Sequence, residues 1–337
     1  MNQILEITKR ELRTLFYSPV GWLVIIVFVL QLGSLLSANL NSRAFRVWMI
    51  NEDILSLTYN MLFSGGNSII TGMVSNLYLY IPLLTMGLLS REFSDGTIKL
   101  LFSSPVKVRD IVFGKYLAVI TFALIMVGIV GLFGAILGIF VIDSMDVGLL
   151  LWGLLLLYLV ICTYSAIGLF ISSLTSYQFV AALGVVGVLF GLNYASTMSV
   201  DGMPEYLSSM LVWLQGISFI YVFKGFIGSW DLLYFVLMIA MFLTFTYIRI
   251  QSLREIKPWW TLAGKYAAAT LIVLTIGYVS SQPSMRYYMD VRRAEMLDTR
   301  ILITRDDVPK WRMIFMQIIP GSMILISSTL IIRRRRR

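Results

Sequence analysis

SREFSDGTIKLLFSSPVKVRDIVFGKY, residues 90–116, decides how the rest of the chain reads. A hydrophobic run ends just before it and another begins just after it. The stretch is polar, punctuated by Gly96 and Pro105, and mixed in charge. Arg91, Lys99, Lys107, Arg109 and Lys115 stand against Glu92, Asp95 and Asp110. A passive connector needs only a few residues. This one has the composition of a docked helix-turn-helix, a surface through which a partner pushes on a membrane part.

Composition supports that frame. Of 337 residues, 58% are hydrophobic and only 13% charged, against about 25% charged in soluble domains. The deficit assigns most of the surface to lipid, so length is counted in spans of about 20 apolar residues. Cys162 is the one cysteine, which excludes an internal disulfide. The absence of histidine excludes His-based catalysis and His metal sites. The net charge of +9 comes partly from Arg333 to Arg337. That run directly follows a hydrophobic stretch and reads as a cytoplasmic membrane anchor rather than a nucleic-acid contact.

Residues 2–17 are amphipathic, with Ile4, Leu5, Leu12, Leu15 and Phe16 opposed to Lys9, Arg10 and Arg13. A helix of this kind is expected to lie in the membrane interface and to end at Pro19. The first span is Val20–Ala38. A secretory signal peptide is the rival reading, with Ser37-Ala38 resembling a cleavage site, but the charged lead is long and the apolar core exceeds a normal signal core. Residues 39–66 read as a loop with a short helix near Arg46–Leu57. The second span, Ser68–Leu89, holds Pro82, where a kink or break is expected. The third is Tyr116–Ile142, in which Gly128, Gly131, Gly134 and Gly138 permit close helix approach. The fourth, Val147–Ile171, and the fifth, Phe179–Met198, are joined by the short turn 172–178. Leu207–Leu214 and Ile217–Phe226 are too short to cross and read as re-entrant or interfacial helices. The sixth span is Leu232–Ile250. A basic connector follows, with Arg249, Arg254, Lys257 and Lys265 around Trp259-Trp260. The seventh and eighth spans are Tyr266–Ser281 and Trp311–Ile332.

Lysine and arginine counts set the orientation. With the N-terminus inside, inner segments hold 17 of the basic residues and outer segments 10. Seven of the outer ones crowd into residues 282–312, an anomaly that a longer folded outer region or a different assignment of the last two spans resolves. Both termini are thus expected in the cytoplasm of an inner-membrane, multi-pass protein.

No phosphate-binding loop, dinucleotide loop, metal-ligand cluster or catalytic triad is legible. The spans are nearly uncharged, whereas an ion-coupled carrier keeps ionisable groups at membrane depth. The energy is expected to come from a partner, and the chain is expected to be no enzyme.

The run Arg91-Glu92-Phe93-Ser94-Asp95-Gly96-Thr97, followed by Leu100-Leu101, Ser104-Pro105-Val106 and Gly114-Lys115, resembles the coupling region of type-2 ABC exporter permeases of the gliding-motility type. Gly168 to Thr175 resembles their fourth-span exit. The likeness covers roughly residues 1–250. It implies an all-α polytopic fold: an elbow helix over residues 1–19, then a six-span core over 20–250 with its coupling region at 90–115 and short outer helices at 203–228. It implies that Arg91, Glu92, Phe93, Asp95, Gly96, Thr97, Leu100 and Leu101 dock on a separate cytoplasmic ATPase, with Ser172, Ser173 and Thr175 as a second, smaller contact. Glu92 is expected to pair with a basic residue of that partner or to cap a local helix. The chain itself would carry no cofactor; ATP and Mg2+ would sit in the ATPase. A second permease copy or a paralogue would complete the dimer.

Residues 251–337 add two spans and the outer loop 282–311, and resemble the ends of the auxiliary subunit that accompanies such permeases, which implies an extracytoplasmic auxiliary domain. Arg286 to Val291 and Val308 to Trp311 carry that likeness, without the large outer domain between them. The function expected is the membrane half of an ATP-driven exporter. The alternative is an ATP-driven scaffold that moves an outer element while nothing crosses. Aromatic residues such as Tyr78, Tyr80 and Phe122 are expected in core or lipid packing rather than along a route.

Overall fold

A computed structural model describes residues 2–41, 62–63, 68–98, 106–140, 147–195, 229–254, 258 and 260–277. All regular structure among them is helical. In order these are α1 (Asn2–Tyr17), α2 (Pro19–Asn41), α3 (Ile69–Ser75), α4 (Leu77–Thr85), α5 (Ser90–Ser94), α6 (Val108–Phe140), α7 (Val147–Ser172), α8 (Gln178–Ala195), α9 (Ser229–Arg254) and α10 (Trp260–Gly277). A chain this apolar has little choice, because in lipid a helix satisfies its backbone groups from within. Among the described residues five helices are long and apolar enough to cross a membrane, and the bent pair that starts with α3 and α4 makes a sixth if it is counted as one span. The molecule is an all-α polytopic membrane protein. The expected short outer helices at 203–228, the helix near Arg46–Leu57, the loop 282–311 and the eighth span lie outside the described residues.

The central helix is α7. It packs on α3, α4, α6, α8 and α9, and Leu156, Leu157, Val160, Ile161, Tyr164 and Ile167 are all buried. Small residues let its neighbours close in. A Cβ on Gly134 would sit 2.7 Å from Leu150 Cδ1, and one on Gly131 3.1 Å from Leu154 Cδ1. Gly128 faces open space instead, so only part of the expected glycine stripe is used. Tyr80 and Phe122 are buried in the core, and Tyr78 stacks on Tyr164 with ring centroids 5.9 Å apart.

Several boundaries differ from expectation. The second span bends by 51° between Ser75 and Leu77, not at Pro82. Asn76 leaves the helical region, with φ −105° and ψ 1°, and its Nδ2 donates to the Gly72 carbonyl at 3.2 Å. A side-chain amide that bonds a nearby carbonyl competes with the helical ladder. Helix α4 runs through Pro82, and the Met86 amide donates to the Pro82 carbonyl at 2.9 Å. Gln31 bridges the bend from α2. Its Nε2 donates to Gly72 O at 3.1 Å, and the Tyr80 hydroxyl donates to its Oε1. Helix α6 begins at Val108, eight residues before the expected span. Its 33 residues reach about 50 Å, beyond the roughly 30 Å of hydrocarbon. Helix α10 begins at Trp260, inside the expected basic connector.

The amphipathic start forms α1 as expected, but its apolar face is spent largely on protein. It packs along the first turns of α6, where Phe16 and Phe122 lie 5.3 Å apart. Pro19 does not merely end α1; it opens α2, a first-turn position that proline tolerates. The corner is tight. The Trp22 indole N–H donates to Phe16 O at 2.8 Å, and a Cβ on Gly21 would collide with the Leu15 carbonyl oxygen. That obstacle is backbone and cannot rotate away. Gly21→Ala is therefore expected to destabilise the chain by about 1–3 kcal/mol, read as a lower thermal unfolding midpoint of the solubilised protein. An unchanged midpoint contradicts this corner.

Candidate functional site

The polar stretch after the second span folds as the short helix α5, and two attachments hold it. The first comes from α7. Ser172 Oγ accepts hydrogen bonds from the backbone amides of Leu89 and Ser90, both at 3.1 Å, and donates to Met86 O at 3.0 Å. Leu89, Ser90 and Ser172 are all buried. A helix start leaves its first amides without intrahelical partners. Here a hydroxyl from another span supplies the acceptor. Ser90 Oγ turns back to Met86 O.

The second attachment is ionic. Lys115, in the second turn of α6, is 2% exposed. Its Nζ donates to Glu11 Oε1 of α1 at 2.6 Å and lies 2.8 Å from Glu92 Oε1 of α5. One ammonium thus joins three helices. Neighbouring Gly114 explains how the elbow comes so near: a Cβ there would sit 2.7 Å from Ile7 Cγ2. Thr8 Oγ1 adds a hydrogen bond to Gly114 O at 3.1 Å. The Gly114-Lys115 pair is a docking point for α1, glycine giving space and lysine giving charge. Two carboxylates share one cation, and Glu92 Oε2 is buried with no hydrogen-bond partner among the described residues.

Beyond Glu92 the segment divides by exposure. Phe93 is half-buried against the apolar cluster that includes Leu88, Leu89, Val108 and Val112, and Ile98 is buried. Arg91, Ser94, Asp95, Gly96 and Thr97 are exposed. The Asp95 amide donates to Arg91 O at 2.9 Å, and Gly96 follows at φ +69°, the left-handed geometry that ends helices on glycine. Leu100 and Leu101 lie outside the described residues. Of the second predicted contact, Ser172 and Ser173 are buried and Thr175 is half-buried. What this turn presents outward is Leu174, Ser176 and Tyr177. Helix α8, which follows the turn, packs on α5, so both predicted contacts sit at one end of the molecule.

Two expectations change. Glu92 neither reaches outward nor caps α5; it is paired inward with Lys115. Ser172 and Ser173 are likewise internal. Glu11 was missed by sequence reasoning, although it falls on the apolar stripe Ile4, Ile7, Leu15 at spacings of three and four. A carboxylate on such a stripe signals a buried cation.

With this arrangement in view, a family model described as ABC-2 family transporter protein matches residues 5–283. The chain belongs to the ABC-2 transporter family. It is a membrane component of an ABC transporter and not the ATPase itself, and it is an integral membrane protein. The match runs past residue 250, where the sequence likeness had been drawn to a close, and takes in α10. Comparison with curated proteins found no match.

Proposed function

We propose that this ABC-2 chain is the permease subunit of an ATP-driven exporter, and that α5 is the element its ATPase grips. The supporting observation is the double anchoring of α5. Ser172 ties its start to the central helix, and Lys115 ties Glu92 to the elbow helix and α6. A segment that transmits force must be stiffly joined to what it moves, and α5 meets that requirement while Arg91, Ser94, Asp95 and Thr97 stay exposed. Those exposed residues form the docking face in this reading, with Leu174 and Tyr177 as the second contact. Glu92, Phe93, Ser172 and Ser173 act behind the face, by holding it. ATP and Mg2+ belong to the partner. The subunit works with a second copy or a paralogue in the inner membrane, both termini cytoplasmic, and an extracytoplasmic auxiliary domain completes the assembly.

The test is copurification with a candidate partner ATPase. The charge reversals Arg91→Glu and Asp95→Lys, made together, fall at exposed positions and disturb surface contacts alone, the Ser94 hydroxyl on Asp95 Oδ1 and the Arg91 guanidinium over Gly87. They are expected to lower capture of the ATPase about tenfold, as mismatched interface charges do, while the thermal midpoint of the permease stays put. Undiminished capture and ATP-driven transport would place the grip elsewhere. Transport that persists without ATP would overturn the exporter reading itself.

A further inference from the structure

Three cations that coupling does not use, Arg249, Arg254 and Lys265, lie at the adjoining ends of α9 and α10. Ile250 of α9 is buried in the same apolar cluster as Leu88 and Leu89, which lead into α5, and Val108 and Val112 of α6, so the last turns of α9 belong to the end of the molecule that carries α5. Arg249 and Arg254 lie on those turns, and Lys265 and Trp260 lie on the first two turns of α10. The two helices are held side by side there. The Tyr266 ring contacts Phe245 at 5.2 Å and Phe170 at 6.4 Å, and Arg249 is within electrostatic reach of Tyr266.

Arg249 is the unusual member. Its Nε is buried and has no hydrogen-bond partner among the described residues. No carboxylate among the described residues forms an ion pair with Arg249, Arg254 or Lys265. A buried donor left unmatched is costly, and arginine presents a planar fork suited to phosphate oxygens. Around it the surface changes character. Trp260 is 62% exposed, and Leu271 and Ile272, further along α10, are 59% and 58% exposed. Cations and an exposed tryptophan at the same helix ends, with exposed apolar residues further along α10, match a lipid: headgroup at the cations, acyl chains along α10.

We propose that the α9–α10 hairpin binds an anionic phospholipid. Arg249 takes the phosphate, Arg254 and Lys265 form the cationic rim, and α10 carries the tails. The site needs the chain to be in a membrane, but not that α5 engages an ATPase, so either reading can fail without the other.

Native mass spectrometry of the full-length chain in detergent tests it, titrating phosphatidylglycerol against phosphatidylcholine of the same acyl chains. Phosphatidylglycerol is expected to bind more tightly. Arg249→Gln is expected to weaken it roughly fivefold, the effect of one interfacial charge, with Arg249→Lys recovering part of the loss. Should Arg249→Gln fail to fold, Arg254→Gln at an exposed position carries the test, with a roughly threefold loss expected. Equal binding of the two lipids overturns the proposal. So does an equal loss in Lys9→Gln, which would mean diffuse attraction to the whole basic surface. Displacement of the lipid by inorganic phosphate at millimolar levels would make this a free-anion site. Loss of ATPase capture in Arg249→Gln with lipid binding intact would make it a protein contact.

Discussion

Lys115→Ala is expected to cost about 3–5 kcal/mol of stability, the usual penalty for removing one partner of a buried ion pair. The reason is what remains. Glu11 and Glu92 both aim a carboxylate oxygen at the position of Nζ, within 2.8 Å of it, and without the ammonium they face each other. Each is only about one-fifth exposed, so water screens them poorly. The measurement is the thermal unfolding midpoint of the solubilised chain, with ATPase activity of the reconstituted complex beside it. A second variant separates fold from linkage. Glu11→Gln, Glu92→Gln and Lys115→Met together remove all three charges and are expected to recover most of the stability, because neutral replacement of a buried ionic group is often tolerated. They are not expected to restore ATP-driven transport, since the ionic tie between elbow and α5 is gone. A single Lys115→Ala variant as stable as the parent would show that the three-helix junction does not exist as described.

Ser172→Ala is expected to cost about 2–5 kcal/mol, for a different reason. Among the described residues the hydroxyl is the one acceptor given to two buried amides, those of Leu89 and Ser90. Each unmatched buried donor costs about 1–3 kcal/mol. The effect should be local: α5 loosens from α7 while the packing of α7 on α6 and α9 persists. Hydrogen exchange reads this directly, with faster exchange at residues 89–94 and little change at 156–167. Ser172→Thr keeps the hydroxyl and is expected to retain protection. Uniformly faster exchange across the spans would instead mean that Ser172 serves general packing.

The helical membrane architecture was legible because one property dominates. Uninterrupted apolar runs separated by polar connectors point to spans without ambiguity, and the amphipathic start showed itself by period. Boundaries were less legible. The α6 start was placed late because Val108 to Tyr116 mixes charge with apolar residues, and hydropathy marks where lipid begins rather than where a helix begins. Pro82 drew the expected bend, yet Asn76 makes it, because a neighbouring side chain and not composition decides which helical defect is tolerated. At the site, the run Arg91 to Thr97 marked the right element, but sequence could not say which side of it faces inward. The partner of Glu92, Lys115, lies 23 positions away, and Glu11, which shares that cation, lies 81 positions away. Glu92 looked available to another protein only because Lys115 and Glu11 had not yet been folded against it.

The 51° bend at Asn76 has a mechanical consequence. A straight span would carry a displacement of α5 through the full membrane thickness, whereas this one behaves as two levers meeting at a fulcrum. Motion imposed on α4 need not tilt α3, and what passes the fulcrum travels sideways through the helices packed on both halves, α2 and α7, with Gln31 of α2 bonded to Tyr80 on one side of the bend and Gly72 on the other. The two halves of the bent span are thereby geared to each other through their neighbours, with an amide side chain of α2 as one tooth of that gear.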